Sequence, residues 1–177
     1  MSVMESSSVL NFMSRNVKTV VHTESLKHAC KLMYENDVGS VIVVGSYEPH
    51  KPAGIITERD IMKVIAMDQL YQATSPHEIS LLDMVVMSFM TMPVIIIAPS
   101  ASLRDALQLM QQNRIRRLPV VQNEKLIGII TEKDVDKAIA NNRSMLCEIQ
   151  DKLPTSAASV IERLREVTFS ESFFHIQ

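Results

Sequence analysis

The sequence predicts an α+β fold made of two β-α-β-β-α repeats packed through their sheets, with a helical extension at the C-terminal end. Three observations predict it. The chain resembles itself over two long stretches, each copy carries an apolar stripe at helical spacing, and short β-branched runs follow each stripe.

The self-similarity comes first. A shift of 77 places sets Phe12-Met13 on Phe89-Met90, Ser25-Leu26 on Ser102-Leu103 and Val43-Val44 on Val120-Val121, with 11 identities in 33 positions. Three extra residues between Gly45 and Ala53 reduce the shift to 74. Gly54-Ile55-Ile56-Thr57-Glu58-Arg59-Asp60 then meets Gly128-Ile129-Ile130-Thr131-Glu132-Lys133-Asp134, and 9 of 13 positions agree. Each copy reads strand, helix, strand, strand, helix. In the first helices, Leu26, Ala29, Cys30 and Met33, and then Leu103, Ala106, Leu107 and Met110, fall on one face. Ser25 and Ser102 stand at the N-cap positions. Val41 to Val44 and Leu118 to Val121 are too short and too branched for helices. Gly45 to Pro52 and Gln122 to Lys125 read as turns, and each glycine-led strand runs into a helix of about ten residues.

The resulting division is 1–11 as an N-terminal segment, 12–66 as repeat one, 67–88 as a linker with a helix, 89–140 as repeat two, and 141–177 as extension and tail. Ser75-Pro76-His77-Glu78 carries the signature of a helix start. In the extension, Met145, Ile149 and Leu153 keep helical spacing up to Pro154. Ser159 to Glu162 resembles a capping box, Ala157, Val160, Ile161 and Leu164 form an apolar stripe, and Phe173-Phe174-His175-Ile176 is apolar for a tail.

Composition narrows the class of function. The 177 residues are 46% hydrophobic and 21% charged, with a net charge of −2, which fits a globular domain and offers nucleic acid no global basic field. Cys30 and Cys147 show no CxxC spacing, and the stretch Met1 to Leu10 does not read as a signal peptide, so a cytoplasmic protein is expected. Met84 to Leu103 are uncharged over about the length of a membrane span. Pro93, Pro99 and four hydroxyl residues argue against insertion there. The five histidines lack HxH and HExxH spacing, GxSxG and Walker A motifs are missing, and four glycines are too few for a Gly-rich phosphate loop. Cys30 and most methionines read as core filling. No catalytic constellation, metal site or required cofactor is expected.

Two such repeats, each closing with Gly-Ile-Ile-Thr-Glu-Arg/Lys-Asp, resemble a tandem pair of cystathionine-β-synthase (CBS) domains, the Bateman module, over Phe12 to Ala140. The resemblance implies a regulatory, non-catalytic module with two clefts between the repeats for adenosine-containing ligands. Carried over, one phosphate-competent cleft would combine Thr57, Asp60, Val94, Ile95, Arg116 and Arg117, with Lys133. The other would combine Thr131, Asp134, Val17, Lys18, Gly39 and Ser40, without an arginine pair. AMP, ADP and ATP are the candidate ligands, with S-adenosylmethionine behind them. A homodimer and an effector protein are the expected partners.

The residues alone leave two alternatives open. A carboxylate such as Asp60 can accept hydrogen bonds from ribose hydroxyls while the threonine offers its own hydroxyl to an anion, but Thr-x-x-Asp before an apolar run is also a capping box. Guanidinium forks suit phosphate, yet Arg114-Ile115-Arg116-Arg117 also reads as a solvated helix end. The rival to a nucleotide sensor is therefore a dimerisation or docking scaffold with vestigial clefts.

Overall fold

A computed structural model describes residues 3–74 and 80–142. The readings made on Ser75 to Glu78, on the C-terminal extension and on the apolar tail lie outside the described residues. The described chain contains helices α1 (Val3–Ser6), α2 (Leu26–Glu35), α3 (Glu58–Thr74), α4 (Leu103–Asn113) and α5 (Glu132–Ala140). Its strands are β1 (Thr19–Val21), β2 (Ser40–Val44), β3 (Pro52–Thr57), β4 (Arg117–Gln122) and β5 (Lys125–Thr131). They form a three-stranded sheet ordered β1-β2-β3 and a β4-β5 pair. The contacts divide into two compact units, residues 14–96 with 119–129, and residues 3–13 with 97–118 and 130–142.

In the first unit β1 runs parallel to β2, and β2 antiparallel to β3 with Ser40 opposite Thr57. Strand alternation sorts the side chains onto two faces. Val41, Val43 and Ile56 join Leu26, Ala29, Met33, Ile61 and Val64 in the helix-covered core. Ile42, Val44 and Ile55 face the other way and are packed by Val17, Val94, Leu126 and Ile129. In the second unit Val9, Leu103, Ala106, Leu118, Ile130 and Val135 are fully buried.

The helix caps follow the sequence reading. Ser25 accepts from the His28 N–H and Ser102 from the Asp105 N–H. Both first helices also end alike. Asn36 and Asn113 donate side-chain N–H groups to Leu32 O and Leu109 O at 2.8 and 2.9 Å. Asp37 and Arg114 then turn left-handed at φ 50 and 54°, so that Val38 N and Ile115 N reach back to Met33 O and Met110 O.

Three expectations need correction. The helix after β3 has 17 residues where about ten were expected, because no breaker interrupts it before Thr74; it absorbs the start of the linker. The linker's later part, among the described residues, forms 3-10 turns at Leu81–Asp83 and Val86–Ser88. Repeat two also lacks a counterpart of β1: Val94 to Ile96 belong to no strand and Ile97 makes only a single bridge. In repeat one the β1 end is secured by His22 N on Val44 O at 3.0 Å and by Val21 N on Glu24 Oε2 at 2.7 Å. The aligned residues are Pro99, which has no N–H to donate, and Ala101, which has no carboxylate.

The sequence repeats and the spatial units do not coincide. Ser8 bridges Ser102 and Ser14 bridges Ile129, while Val85 bridges Ser25 and Thr91 bridges Ile55. The opening segment of each repeat thus adds to the other repeat's strand and helix start. Among the described residues no helix is long and apolar enough to cross a membrane. Most of the uncharged stretch is instead used in turns and extended chain, including a cis Met92-Pro93 peptide.

Candidate functional site

The site is built where a strand runs into a helix. At the end of β3, Thr57 donates both its N–H (3.0 Å) and its hydroxyl (2.7 Å) to Asp60 Oδ2. The Asp60 N–H returns to Thr57 Oγ1 at 3.4 Å. Thr131 and Asp134 repeat this at the β5–α5 junction with 2.8, 2.6 and 3.3 Å. The helix-capping alternative is therefore realised at both junctions, and it leaves part of each carboxylate for other work. Asp60 Oδ2 is occupied by two donors, whereas Oδ1 faces the Lys63 ammonium at 3.8 Å, with the side chain 16% exposed.

The remaining first-unit residues lie close along the same sheet. Glu58 N, at the start of α3, donates to Gly39 O at 3.2 Å, and Ser40 is the register partner of Thr57. Lys18 O accepts from Ile42 N at 3.0 Å, and half-buried Val17 and Val94 pack on the apolar face of β2 and β3. Ile95 follows, also half-buried. The first unit thus gathers Thr57, Asp60, Val94 and Ile95 from one expected set and Val17, Lys18, Gly39 and Ser40 from the other.

In the second unit Glu132 N donates to Arg116 O at 2.9 Å, the counterpart of the Glu58–Gly39 bond. Arg116 is exposed, Arg117 half-buried at the start of β4, and Lys133 exposed in the first turn of α5. Of the arginine cluster, only Arg114 stands at the end of α4. The helix-end reading explains that residue and not Arg116 or Arg117, which belong to the strand entry.

Two residues escaped the sequence reading. Lys63 beside Asp60 carried a weak signal, an acid and a base three apart on a helix. Asp68 accepts from Leu81 N at 2.7 Å and from Ser80 Oγ at 3.0 Å, tying the later part of the linker to α3. No local spacing announces a bond across 12 or 13 residues. Among the described residues no group of three or more His, Cys, Asp or Glu could hold a metal ion.

Comparison with known proteins gives the same architecture. The CBS domain family profile matches residues 8–67 and 86–141. An uncharacterized protein of Methanopyrus kandleri is 38% identical over 134 residues, 75% of this chain and 62% of that one. An uncharacterized protein of Methanocaldococcus jannaschii is 31% identical over 152 residues, 84% of this chain and 36% of that one. The chain thus spans less than two thirds of the length of both relatives. Among solved structures, a protein with CBS domains from Burkholderia ambifaria, described as a candidate signal-transduction protein, is similar at TM-score 0.65 and 30% identity, over 77% of this chain and 96% of that one. CBSX2 in complex with AMP is similar at TM-score 0.62 and 26% identity, over 76% and 97%. A Methanocaldococcus jannaschii protein described as a candidate archaeal homologue of g-AMPK is similar at TM-score 0.67 and 27% identity, over 76% and 48%. With two profile matches covering most of its length, each running through a Thr-x-x-Asp junction into the helix that follows, the chain belongs to the CBS domain family.

Proposed function

We propose that this chain is a non-catalytic regulatory module that binds an adenine nucleotide and passes the occupancy of its site to an effector protein. The ligand is held in the first unit by Thr57, Asp60, Val94 and Ile95. The observation that carries this reading is the tethering of Asp60: one carboxylate oxygen is fixed by Thr57 and the other is left at a partly open surface, prepared to accept a ribose hydroxyl. The AMP held by CBSX2, a structural relative, supports the choice of nucleotide. Thr131 and Asp134 have the same tether and offer a second nucleoside position. The module works as a cytoplasmic homodimer; Met62 and Leu70 of α3, 68% and 70% exposed, support a contact between copies.

The test is a thermal-shift panel of AMP, ADP, ATP, S-adenosylmethionine and NADH on the full chain. A ligand of the folded state raises stability by about 2.7 kcal/mol at a hundredfold excess over Kd. The phosphorylated adenosines should raise the melting temperature, and Asp60→Ala should reduce that rise. A panel without any shift would leave the scaffold reading in its place.

A further inference from the structure

The tether at Asp60 is built from uncharged donors. The Thr57 N–H and hydroxyl fix Oδ2 and bring it no opposite charge. An adenine nucleotide differs from adenosine in its phosphates, which stand one sugar away from the hydroxyls that a carboxylate accepts. Seated on Asp60, a nucleotide therefore meets a like charge across a single ribose, at a side chain 16% exposed where water screens it incompletely. A carboxylate alone would favour the nucleoside over the nucleotide. The structure supplies a counter-charge: Lys63 Nζ lies 3.8 Å from Oδ1, the oxygen that Thr57 does not hold. That separation is too long for a hydrogen bond, so the ammonium sets the charge beside the oxygen and leaves its lone pairs to a ribose hydroxyl. Stability does not account for the pair. Lys63 is 68% exposed, and surface pairs three apart on a helix return little to the fold. The lysine also recurs. Thr57-Glu58-Arg59-Asp60-Ile61-Met62-Lys63 aligns with Thr131-Glu132-Lys133-Asp134-Val135-Asp136-Lys137, so both copies keep a lysine three places after the aspartate although Met62 and Asp136 differ.

We infer that Lys63 is a specificity-determining residue that makes the Asp60 site prefer an anionic nucleotide to the bare nucleoside. This rests on the nucleotide reading above and adds the choice of charge to it. Asp60 accepts the ribose through Oδ1, and the Lys63 ammonium beside that oxygen offsets the repulsion between the carboxylate and the phosphates. The role is electrostatic and needs no fixed phosphate contact, because a flexible, largely exposed ammonium acts as a point charge. Its effect weakens with added salt, which screens exposed charges over about 8 Å at physiological ionic strength.

The test compares AMP with adenosine by calorimetry on the full chain, at low and high salt, for wild type, Lys63→Met and Lys63→Arg. The affinity read is that of the site which Asp60→Ala removes. In Lys63→Met, AMP should weaken about three- to tenfold at low salt while adenosine keeps its affinity, and the gap should close at about 0.5 M salt. Lys63→Arg, which keeps the charge, should keep the AMP preference. Unliganded Lys63→Met should melt with the wild type, which separates a charge role from a fold role. AMP unchanged in Lys63→Met, AMP and adenosine weakened by the same factor, or a gap that salt does not close would overturn the assignment and leave the nucleotide reading intact. A wild type that binds no adenine nucleotide, or an Asp60→Ala protein that binds AMP at every site of the wild type, would overturn both.

Discussion

A Cβ placed on Gly54 would lie 3.0 Å from the carbonyl oxygen of Thr91. That carbonyl accepts from Ile55 N at 3.1 Å, and Thr91 N donates back to Ile55 O at 2.9 Å, so neither backbone can withdraw without losing the bridge. The Met90 Sδ, 2.6 Å from the same point, is a flexible side-chain end and can swing aside. We therefore predict that Gly54→Ala lowers unfolding stability by about 1–3 kcal/mol, and that adding Met90→Ala does not restore it. Urea titration of the three proteins checks this.

The α4 cap carries a pH signature. The Ser102 N–H and then its hydroxyl, bonded to Asp105 at 2.9 and 2.8 Å, hold the Asp105 carboxyl below its ordinary value of 3.8, with a smaller contribution from the Arg104 charge. A folded-state value below the unfolded one stabilises above the unfolded pKa and is lost as pH falls through the folded one. Asp105→Asn should therefore be less stable than wild type at pH 7, and the difference should close as the pH is taken below 3.8. Ser102→Ala should cost about 1 kcal/mol at neutral pH.

The β4–β5 turn is held by Asn123 and Glu124, both left-handed at φ 49 and 62°. Asparagine tolerates this conformation; glutamate carries a Cβ penalty that glycine avoids. Its ion pair with Lys51, 3.6 Å long between exposed side chains, returns little. Glu124→Gly should raise stability by about 1 kcal/mol, read from the denaturation midpoint.

The nucleotide reading makes a further demand on affinity. A 2′-deoxy nucleotide should bind wild type roughly ten- to a hundredfold more weakly, because one hydrogen bond to Asp60 goes unmade, and Asp60→Ala should erase that difference. Equal binding of ribo and deoxy forms by wild type would remove Asp60 from the site.

What the sequence could announce was local. Ser25 and Ser102 as caps, Met33 and Met110 as core, and Thr-x-x-Asp at both junctions are patterns within one or two turns of chain, and each is found in place. The loss of a β1 counterpart was harder to see, since Ile95-Ile96-Ile97 is as strand-prone as any run in the chain. The deficit lies in a missing donor at Pro99 and a missing anchor at Ala101. The use of the Thr57 proton could not be read at all, because Thr-x-x-Asp fits both a cap and a contact until distances assign the hydrogen. Ser40 was placed by resemblance, but its nearness to Thr57 depends on strand register.

The crossed bridges have a consequence for synthesis. Ser8 donates its hydroxyl to the Pro99 carbonyl, 91 residues further along the chain. At a translation speed of about 5–20 residues per second, this short stretch emerges roughly five to twenty seconds before its docking place exists. Meanwhile Val9 and Met13, buried in the finished protein, are without their cover. Repeat one is in the same position at its other end, waiting for Val86 to reach its core. A chain stopped before residue 86 would therefore leave Val9 and Met13 without their cover and the core of repeat one without Val86, and would expose apolar surface.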